Sequence, residues 1–197
     1  MVNWINVNPT EGSGNKTVSV SGTTHTGRTA RQTTLTISAA NVEPVTVAVN
    51  QAGKPEFVNS QDTAAVVKDG QVLTISGKSN SRKLTFSLGT GTLEMELPAT
   101  YIANSLTVNN GEAINGDPGQ NAEYDFSIQF TVASNESITD LTRQLVVTDD
   151  AGHSDTCLIS QAAGDSTLSV SKNTIELAYT GEAQSFDVIS NASWTIK

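Results

Sequence analysis

The 197-residue sequence predicts an all-β protein built from tandem β-sandwich modules. Composition is the first sign: 16% of residues are charged and 5% are aromatic, while Thr, Ser, Val, Asn and Gly are abundant. Such a mixture suits half-buried strands and tight turns better than helices. The second sign is a series of short runs in which apolar and polar residues alternate between turn residues. The third is an internal repeat, in which one pattern of strands and ending is used twice.

The first module is predicted over residues 1–53. It is expected to begin with a hairpin, because the alternating residues 4–7 and 18–20 flank the turn-forming Gly12-Ser13-Gly14-Asn15. A phosphate-binding loop would need a helix after those glycines, and the alternating run predicts a strand instead. Two further strands are expected at residues 33–37 and 45–49, before the closing Gln51-Ala52-Gly53.

A larger module is predicted over residues 54–164, after the short linker Lys54-Pro55. Its strands are expected at residues 72–75, 84–88, 93–97, 106–108, 126–132, 145–148 and 156–160. Seven short strands with turn signals between them are typical of an immunoglobulin-like sandwich. The irregular stretch 109–124 is rich in Asn and Gly, and a polar loop of this length is expected to project and to contact a partner.

The internal repeat joins these two modules to a third. Arg31-Gln32 leads through two strands to Gln51-Ala52-Gly53, and Arg143-Gln144 leads likewise to Gln161-Ala162-Ala163-Gly164. Residues 165–197 are then predicted to be the opening half of a third module, with strands at 167–170, 185–188 and 191–196. Trp194 occupies there the position that Trp4 has in the first module.

The first module is therefore expected to lack its opening strands, and the third its closing strands. Two explanations stay open at this point. In one, the sequence was cut short. In the other, the two halves complete one another between chains, with residues 167–196 as the donor and the first module as the acceptor of added strands.

The recurring residues resemble the BACON family of immunoglobulin-like modules. That family combines an Asn-x-x-Trp strand, a Pro-x-x-Gly turn, an Arg before a β-branched strand and a closing Gln-x-Gly. The matching positions here are Asn191 to Trp194, Pro9 to Gly12, Arg31, and Gln51 to Gly53. The middle module departs from the pattern, since Leu93-Glu94-Met95 stands where a Trp strand is expected.

This resemblance implies a binding or structural role. Similar modules occur in secreted polysaccharide-degrading proteins of gut Bacteroidetes, where glycan or mucin binding has been proposed, and in virion proteins of crAss-like phages that infect those bacteria. The run from Val2 to Arg28 is more similar to the phage form. The resemblance thus implies a non-enzymatic virion protein, such as a head fibre, capsid decoration or tail accessory component. The alternative is a carbohydrate-binding or mucin-binding adhesion module of a secreted Bacteroidetes protein, located outside the cell or on the bacterial surface.

The expected partners follow from these two readings and from the charge. A virion protein would bind other virion proteins and copies of itself as a homo-oligomer, and an adhesion module would bind host-surface or mucin glycans. Nucleic acid is an unsuitable partner, because phosphate binding needs clustered Lys and Arg and the net charge is −9. Residues 54–164 carry most of the acid, with six basic and fourteen acidic side chains. No stretch is long enough to span a bilayer, and residues 1–20 lack the pattern of a signal peptide.

No metal or cofactor is expected. His25 and His153 lie beside turn residues and are interpreted as solvated loop residues, because zinc needs three or four converging ligands. Asp149, Asp150 and Asp155 offer the oxygen ligands that calcium prefers, but a hairpin turn is favoured because the spacing is not that of an EF-hand. Cys157 lies in an apolar run and is predicted to be a buried strand thiol.

Binding is favoured over catalysis, since no Ser-His-Asp or Cys-His set can be read, although paired glycosidase carboxylates are left open. Arg28 and Arg31 could anchor a carboxylate or another chain through their planar guanidinium groups, but a solvated or loop-pinning role is favoured. Trp4 and Trp194 could stack on sugar rings, but core positions are expected for both. The candidate binding residues are Arg28, Arg31, Glu112, Asp117 and Tyr124.

Overall fold

The computed structural model describes residues 2–197 and confirms the predicted all-β class, with 47% of residues in strands and 2% in helix. Met1, the first residue of the predicted first module, lies outside the described residues. One 3₁₀ turn, Pro118–Gln120, interrupts the strands. The strands are β1 (Ile5–Asn8), β2 (Ser19–Gly22), β3 (Arg31–Ala39), β4 (Val42–Gln51), β5 (Val58–Ser60), β6 (Thr63–Val66), β7 (Gln71–Ser79), β8 (Leu84–Gly91), β9 (Thr100–Ala103), β10 (Leu106–Asn109), β11 (Tyr124–Val132), β12 (Leu141–Asp149), β13 (Ser154–Gln161), β14 (Leu168–Val170) and β15 (Val188–Ser190).

Strands β5 to β13 form two sheets, which together we call the central sandwich (residues 54–164). One sheet has the order β10-β9-β11-β7-β5 and the other the order β6-β13-β12-β8. Neighbouring strands are antiparallel except β6 and β13, which pair in parallel from Thr63↔Leu158 to Val66↔Gln161. The predicted hairpin after Asp149 is confirmed, because β12 and β13 pair from Thr148↔Ser154 to Leu141↔Gln161.

The core of the central sandwich comes from strands whose alternate residues are apolar. In β11, the five alternate residues from Tyr124 to Val132 are each at most 4% exposed, and they are Tyr124, Phe126, Ile128, Phe130 and Val132. Successive side chains of a strand point to opposite faces, so this alternation turns one face inward. Burial of each large apolar side chain contributes about 2 kcal/mol. Phe86 joins the two sheets, with its ring centroid 4.8 Å from that of Tyr101 and 5.8 Å from that of Phe126.

Cys157 is fully buried in β13, which confirms the prediction of a buried strand thiol. Burial raises the pKa of this thiol to about 11, because the thiolate would lose its hydration. The phenol of Tyr101 is buried as well, and the amide of Leu84 donates a hydrogen bond to its oxygen at 3.3 Å. Burial also raises the pKa of Tyr101. Both groups are therefore neutral core side chains.

In the central sandwich, one predicted strand is wrong and three observed strands were not predicted. Residues 93–97 alternate in polarity, but they form no strand. The amide of Leu93 donates to the carbonyl of Thr142 at 2.9 Å, and the carbonyl of Leu93 accepts from Nε of Arg143 at 2.7 Å. The segment therefore crosses the end of β12 and does not join a sheet. The unpredicted strands are β5, β6 and β9.

The regions on either side of the central sandwich contain only two-stranded sheets. The first unit (residues 2–53) consists of the hairpin pairs β1-β2 and β3-β4, which confirms the predicted first hairpin. The third unit (residues 165–197) contains the pair β14-β15. The strand predicted at 185–188 is found at 188–190, and the strand predicted at 191–196 does not form. In these units the apolar side chains stay largely exposed, among them Ile37 at 54% and Val47 at 49%.

The predicted core position of Trp194 is wrong, since this side chain is 48% exposed. The physical reason is that the third unit offers one short hairpin and no second sheet against which an indole could pack. Trp4 is half-buried, and the guanidinium of Arg31 lies over its ring at 4.7 Å from the centroid. Trp4 is therefore covered by a cation and not by a closed core.

Candidate functional site

The loop of residues 109–124 does not project from the central sandwich, so that expectation is wrong. Asn110 fastens its start to β8, because its amide group accepts from the backbone N–H of Phe86 at 2.7 Å and donates to the carbonyl of Phe86 at 2.9 Å. Ile114 is 3% exposed, and its amide donates to the carbonyl of Arg82 at 2.9 Å. The loop is thus folded back onto the sandwich.

The end of this loop contacts the first unit. The amides of Arg28 and Thr29 donate to the carbonyls of Gly119 and Gln120 at 3.0 and 2.9 Å. In the other direction, the amide of Glu123 donates to the hydroxyl of Thr26 at 3.1 Å. We call this contact between residues 26–29 and residues 117–123 the junction.

Two glycines make the junction possible. A Cβ at Gly27 would overlap the backbone carbonyl group of Asn121, and a Cβ at Gly119 would overlap the carbonyl of Asn80. Both backbones therefore approach more closely than any side chain allows. At neither position does a positive φ require glycine, so close approach alone explains the residue type.

Arg28 and Asp117, two of the predicted binding residues, are paired with each other across the junction. The guanidinium of Arg28 forms a salt bridge with the carboxylate of Asp117, and Nε of Arg28 donates to the carbonyl of Asn80 at 2.6 Å. The side chains are 21% and 36% exposed, so solvent still screens the pair. Their charges stabilise the contact between the two units within one chain.

Asn80 is buried beside the junction, where it contacts Thr26 and Arg28, and sequence reasoning missed it. Its side-chain oxygen accepts from the amide of Phe57 at 3.0 Å. Its side-chain nitrogen lies within donating distance of three carbonyls, those of Thr26 at 3.1 Å, Lys54 at 3.3 Å and Pro55 at 3.2 Å. One amide side chain therefore ties the first unit, the linker and the central sandwich together.

The third unit meets the central sandwich through the same kind of contact. The side-chain nitrogen of Asn191 donates to the carbonyl of Glu136 in the central sandwich at 3.4 Å and to the carbonyl of Asp165 at 2.9 Å. Its side-chain oxygen accepts from the amide of Thr167 within the third unit at 2.8 Å. Both asparagines follow a serine that ends a strand, Ser79 in β7 and Ser190 in β15. The repeated Ser-Asn pair was the signal in the sequence that could have located the junction.

The other candidate binding residues lie apart from this cluster. Arg31 links two parts of the first unit. Its Nε donates to the side chain of Gln51 at 3.0 Å, and its terminal nitrogen donates to the carbonyl of Thr23 at 2.9 Å. Glu112 is exposed at a turn of the loop. Tyr124 is 4% exposed, and its hydroxyl donates to the carbonyl of Ser81 at 2.7 Å. Tyr124 is a core residue, so its assignment to a binding surface is wrong.

Two open cavities lie away from the junction. A cavity of about 520 Å³ runs between the two hairpins of the first unit, and its apolar wall is formed by Val7, Val18, Val20, Leu35, Ile37 and Val47. A second cavity of about 690 Å³ lies beside residues 94–99 on the central sandwich, with Gln129 and Thr131 on its other side. The first cavity is the more apolar of the two, and we call it the groove.

Within residues 2–197 the structure contains no cluster of three or more His, Cys, Asp and Glu side chains placed to hold a metal ion. His153 contacts one carboxylate, that of Asp149, with 2.9 Å between Nδ1 and Oδ2. Nε2 of His25 lies 2.7 Å from the carbonyl oxygen of Thr29. Among the described residues, no helix is long and apolar enough to cross a bilayer.

Comparison with known proteins finds a family match for the first unit. Two solved structures resemble the chain: a protein from Bacteroides thetaiotaomicron (12% identity, 56% of this chain and 89% of that chain, TM-score 0.28) and domains 4 and 5 of the S-layer protein SbsC (11% identity, 78% of this chain and 88% of that chain, TM-score 0.31). No curated protein is detectably similar in sequence. Residues 2–52 match the family described as "BACON: Putative binding domain, N-terminal". The first unit is therefore BACON-like, as its residues led us to expect.

Proposed function

We propose that this protein is a non-enzymatic structural and binding protein of a virion, as a head fibre, capsid decoration or tail accessory component, which attaches through its immunoglobulin-like units. The observation that carries the proposal is the first unit, which is BACON-like, fixed to the central sandwich by the junction, and open along its apolar groove. A binding surface presented on a rigid support suits attachment, because little freedom is lost when a partner docks.

The polar groups at the junction support a structural role. Arg28, Asp117 and Asn80 use their donors and acceptors on one another and on nearby backbone. Together these contacts hold the first unit against the central sandwich. The apolar groove is left as the surface that offers buried area to a partner.

Density-gradient purification of virions from the native source tests this proposal. The chain is expected to sediment with the capsid proteins, and immunogold labelling with an antibody against it is expected to decorate intact particles. Recovery of the chain in the particle-free supernatant alone would contradict a virion role.

A carbohydrate-binding adhesion module is the second candidate, and exposed aromatic rings in the third unit favour it. Tyr179 is fully exposed and Trp194 is 48% exposed, so both rings are free to stack on a sugar. Retention on immobilised mucin, abolished by Tyr179→Ala and Trp194→Ala but not by Val42→Ala, would support this reading. Val42 is also exposed, but it lies in the first unit, away from these two rings in the sequence.

A further inference from the structure

Strand β11, in the middle of the central sandwich, has a stretch along which its neighbour β9 does not pair with it. The two strands pair at only two positions, residues 126 and 127 of β11. The amide of Asn104 donates to the carbonyl of Asp125 at 2.9 Å, so the backbone of Asp125 faces β9. In an antiparallel sheet, alternate residues of a strand direct their N–H and C=O groups to the same side. The backbone groups of Gln129 and Thr131 therefore face the same side as those of Asp125, beyond the last residue that β9 pairs.

A proline accounts for the separation of the two strands. If the register of β9 on β11 continued, Thr131 would lie opposite Pro98. Proline has no N–H, so Pro98 cannot donate a hydrogen bond to a neighbouring strand. In the part of the chain that the structure describes, no backbone hydrogen bond joins residues 92–99 to Gln129 or Thr131. We call residues 129–131 of β11 the open edge.

The edge of β8 shows how the same sandwich covers a strand that has no neighbour on one side. The side chain of Asn110 accepts from the amide of Phe86 at 2.7 Å and donates to its carbonyl at 2.9 Å, and Lys83 forms an isolated bridge with Ala113. Uncovered edge groups are a template for pairing with another extended chain. The open edge has no comparable cover within residues 2–197, so its N–H and C=O groups are available to an added strand.

The space beside the open edge is the cavity of about 690 Å³, whose other wall is formed by residues 94–99. Side chains of this wall alternate in character. Met95 and Leu97 are partly buried against the core, whereas Glu94 and Glu96 are exposed. The side chains of an extended peptide also point alternately to opposite faces. A strand added here would meet apolar side chains on its inner face and carboxylates on its outer face.

Charge indicates which peptide fits the cavity. Its lining contains two glutamates and no Lys or Arg. Glu94 lies 3.4 Å from the guanidinium of Arg143, yet its side chain is 96% exposed. Within residues 2–197, Glu96 forms no ion pair. The surrounding sandwich is acidic as well, with fourteen acidic and six basic side chains in residues 54–164. Lys and Arg side chains are therefore attracted to this cavity.

We propose that the open edge binds an extended segment of another protein, in which basic residues alternate with apolar ones, as an added strand beside β11. Hydrogen bonds to the backbone of Gln129 and Thr131 hold the segment in place. Its basic side chains lie beside the two glutamates of the wall, and its apolar side chains lie beside Met95 and Leu97. The open edge is distinct from the groove. The inference goes beyond the proposed function, because it concerns a different surface and does not require a virion.

A synthetic peptide tests the proposal on the full chain. The probe is an acetylated and amidated hexapeptide in which Lys and Val alternate. At saturation, hydrogen exchange at the amides of Gln129 and Thr131 is expected to slow about 10-fold or more, because both would donate to the peptide. The amides of Ile128 and Phe130, which face β7, should keep their rates. A hexapeptide of alternating Glu and Val should not bind, and neither should the Lys-Val peptide with every amide N-methylated, which keeps its charge but cannot donate.

A charge reversal with a matched control tests the selection of basic residues. Glu96→Lys should weaken binding of the Lys-Val peptide about 10-fold or more, since it replaces attraction by repulsion. Glu43→Lys, at an exposed position in the first unit, makes the same change in net charge and should leave binding unaltered. Equal weakening by both variants, or binding of the N-methylated peptide, would overturn the proposal in favour of charge attraction alone.

The free chain provides a further check. Slow exchange at Gln129 and Thr131 without peptide would overturn the proposal, because the edge would already be occupied. Protection independent of protein concentration would assign it to residues 94–98, and protection that rises with concentration would assign it to a second copy. None of these outcomes changes whether the chain sediments with virions, so the two proposals fail separately.

Discussion

Arg28 of the first unit forms a salt bridge with Asp117 of the central sandwich, although the two residues lie 89 positions apart in the sequence. Both had been candidates for binding an outside partner. Their pairing shows that the long loop acts within the chain, as one side of the junction.

Asp117→Ala should loosen the junction with little change in global stability. A partly exposed ion pair contributes at most about 1 kcal/mol, because water and salt screen it. The amides of Arg28 and Thr29, which donate to the loop, should exchange their hydrogens faster. Hydrogen exchange measured by NMR or mass spectrometry reports this. Glu112→Ala, in the same loop but exposed, is the control, and equal acceleration in both variants would argue against the role of the salt bridge.

Asn80→Ala should destabilise the central sandwich, whereas Asn191→Ala should not. Removal of the Asn80 side chain leaves the amide of Phe57 and three carbonyls without their partner, at a cost on the order of 3 kcal/mol. Asn191 makes similar contacts in an exposed region outside the main core. Chemical denaturation followed by tyrosine and tryptophan fluorescence measures both. The prediction is wrong if the two variants unfold at the same denaturant concentration.

Gly27→Ala should separate the loop from the first unit. The added methyl group would overlap the backbone of Asn121, and a backbone cannot move aside as a flexible side chain can. Limited proteolysis is expected to cut within residues 117–123 several times faster than in the unaltered chain. Gly12→Ala is a matched control in the same unit, because its methyl group would meet only the side chain of Lys16.

The thiol of Cys157 should be unreactive until the central sandwich opens. Its pKa of about 11 keeps it protonated at pH 8, and the side chain has no exposed surface. Labelling with a maleimide should therefore follow the unfolding curve. Because the folded pKa lies above the ordinary thiol value, its contribution to stability is complete below pH 8.5 and is lost as the pH rises toward 11. Cys157→Ala should reduce this alkaline loss of stability, and rapid labelling of the native protein would contradict the assignment.

The parts of the fold that the sequence predicted are those in which apolar periodicity decides the structure. β11 and β12 were found because alternate residues are large and apolar, and the β12-β13 hairpin because Asp and Gly residues mark its turn. β5 and β6 were missed because Val58-Asn59-Ser60 and Thr63-Ala64-Ala65-Val66 are short and carry small side chains. Both segments become strands because a neighbouring strand supplies the hydrogen bonds: β7 pairs with β5, and β13 pairs with β6.

The junction could be predicted only in part. Arg28 and Asp117 were candidate binding residues, and a solvated or loop-pinning role was favoured for Arg28. They were not recognised as partners, because nothing in their spacing brings them together. Asn80 and Gly119 were not recognised at all, since one acts through a buried amide and the other through the absence of a side chain. Residues whose effect comes from backbone proximity leave little pattern in a single sequence.

The parallel pairing of β6 with β13 determines how the central sandwich responds to tension. The chain enters near the first of these strands and leaves after the second. A pull on the two ends therefore draws the strands past each other along their length and loads their ladder in shear, so its hydrogen bonds must break together and not one at a time. An antiparallel arrangement of the same two strands would unzip from one end under a smaller force. We therefore expect the central sandwich to resist extension when its two neighbouring units are pulled apart.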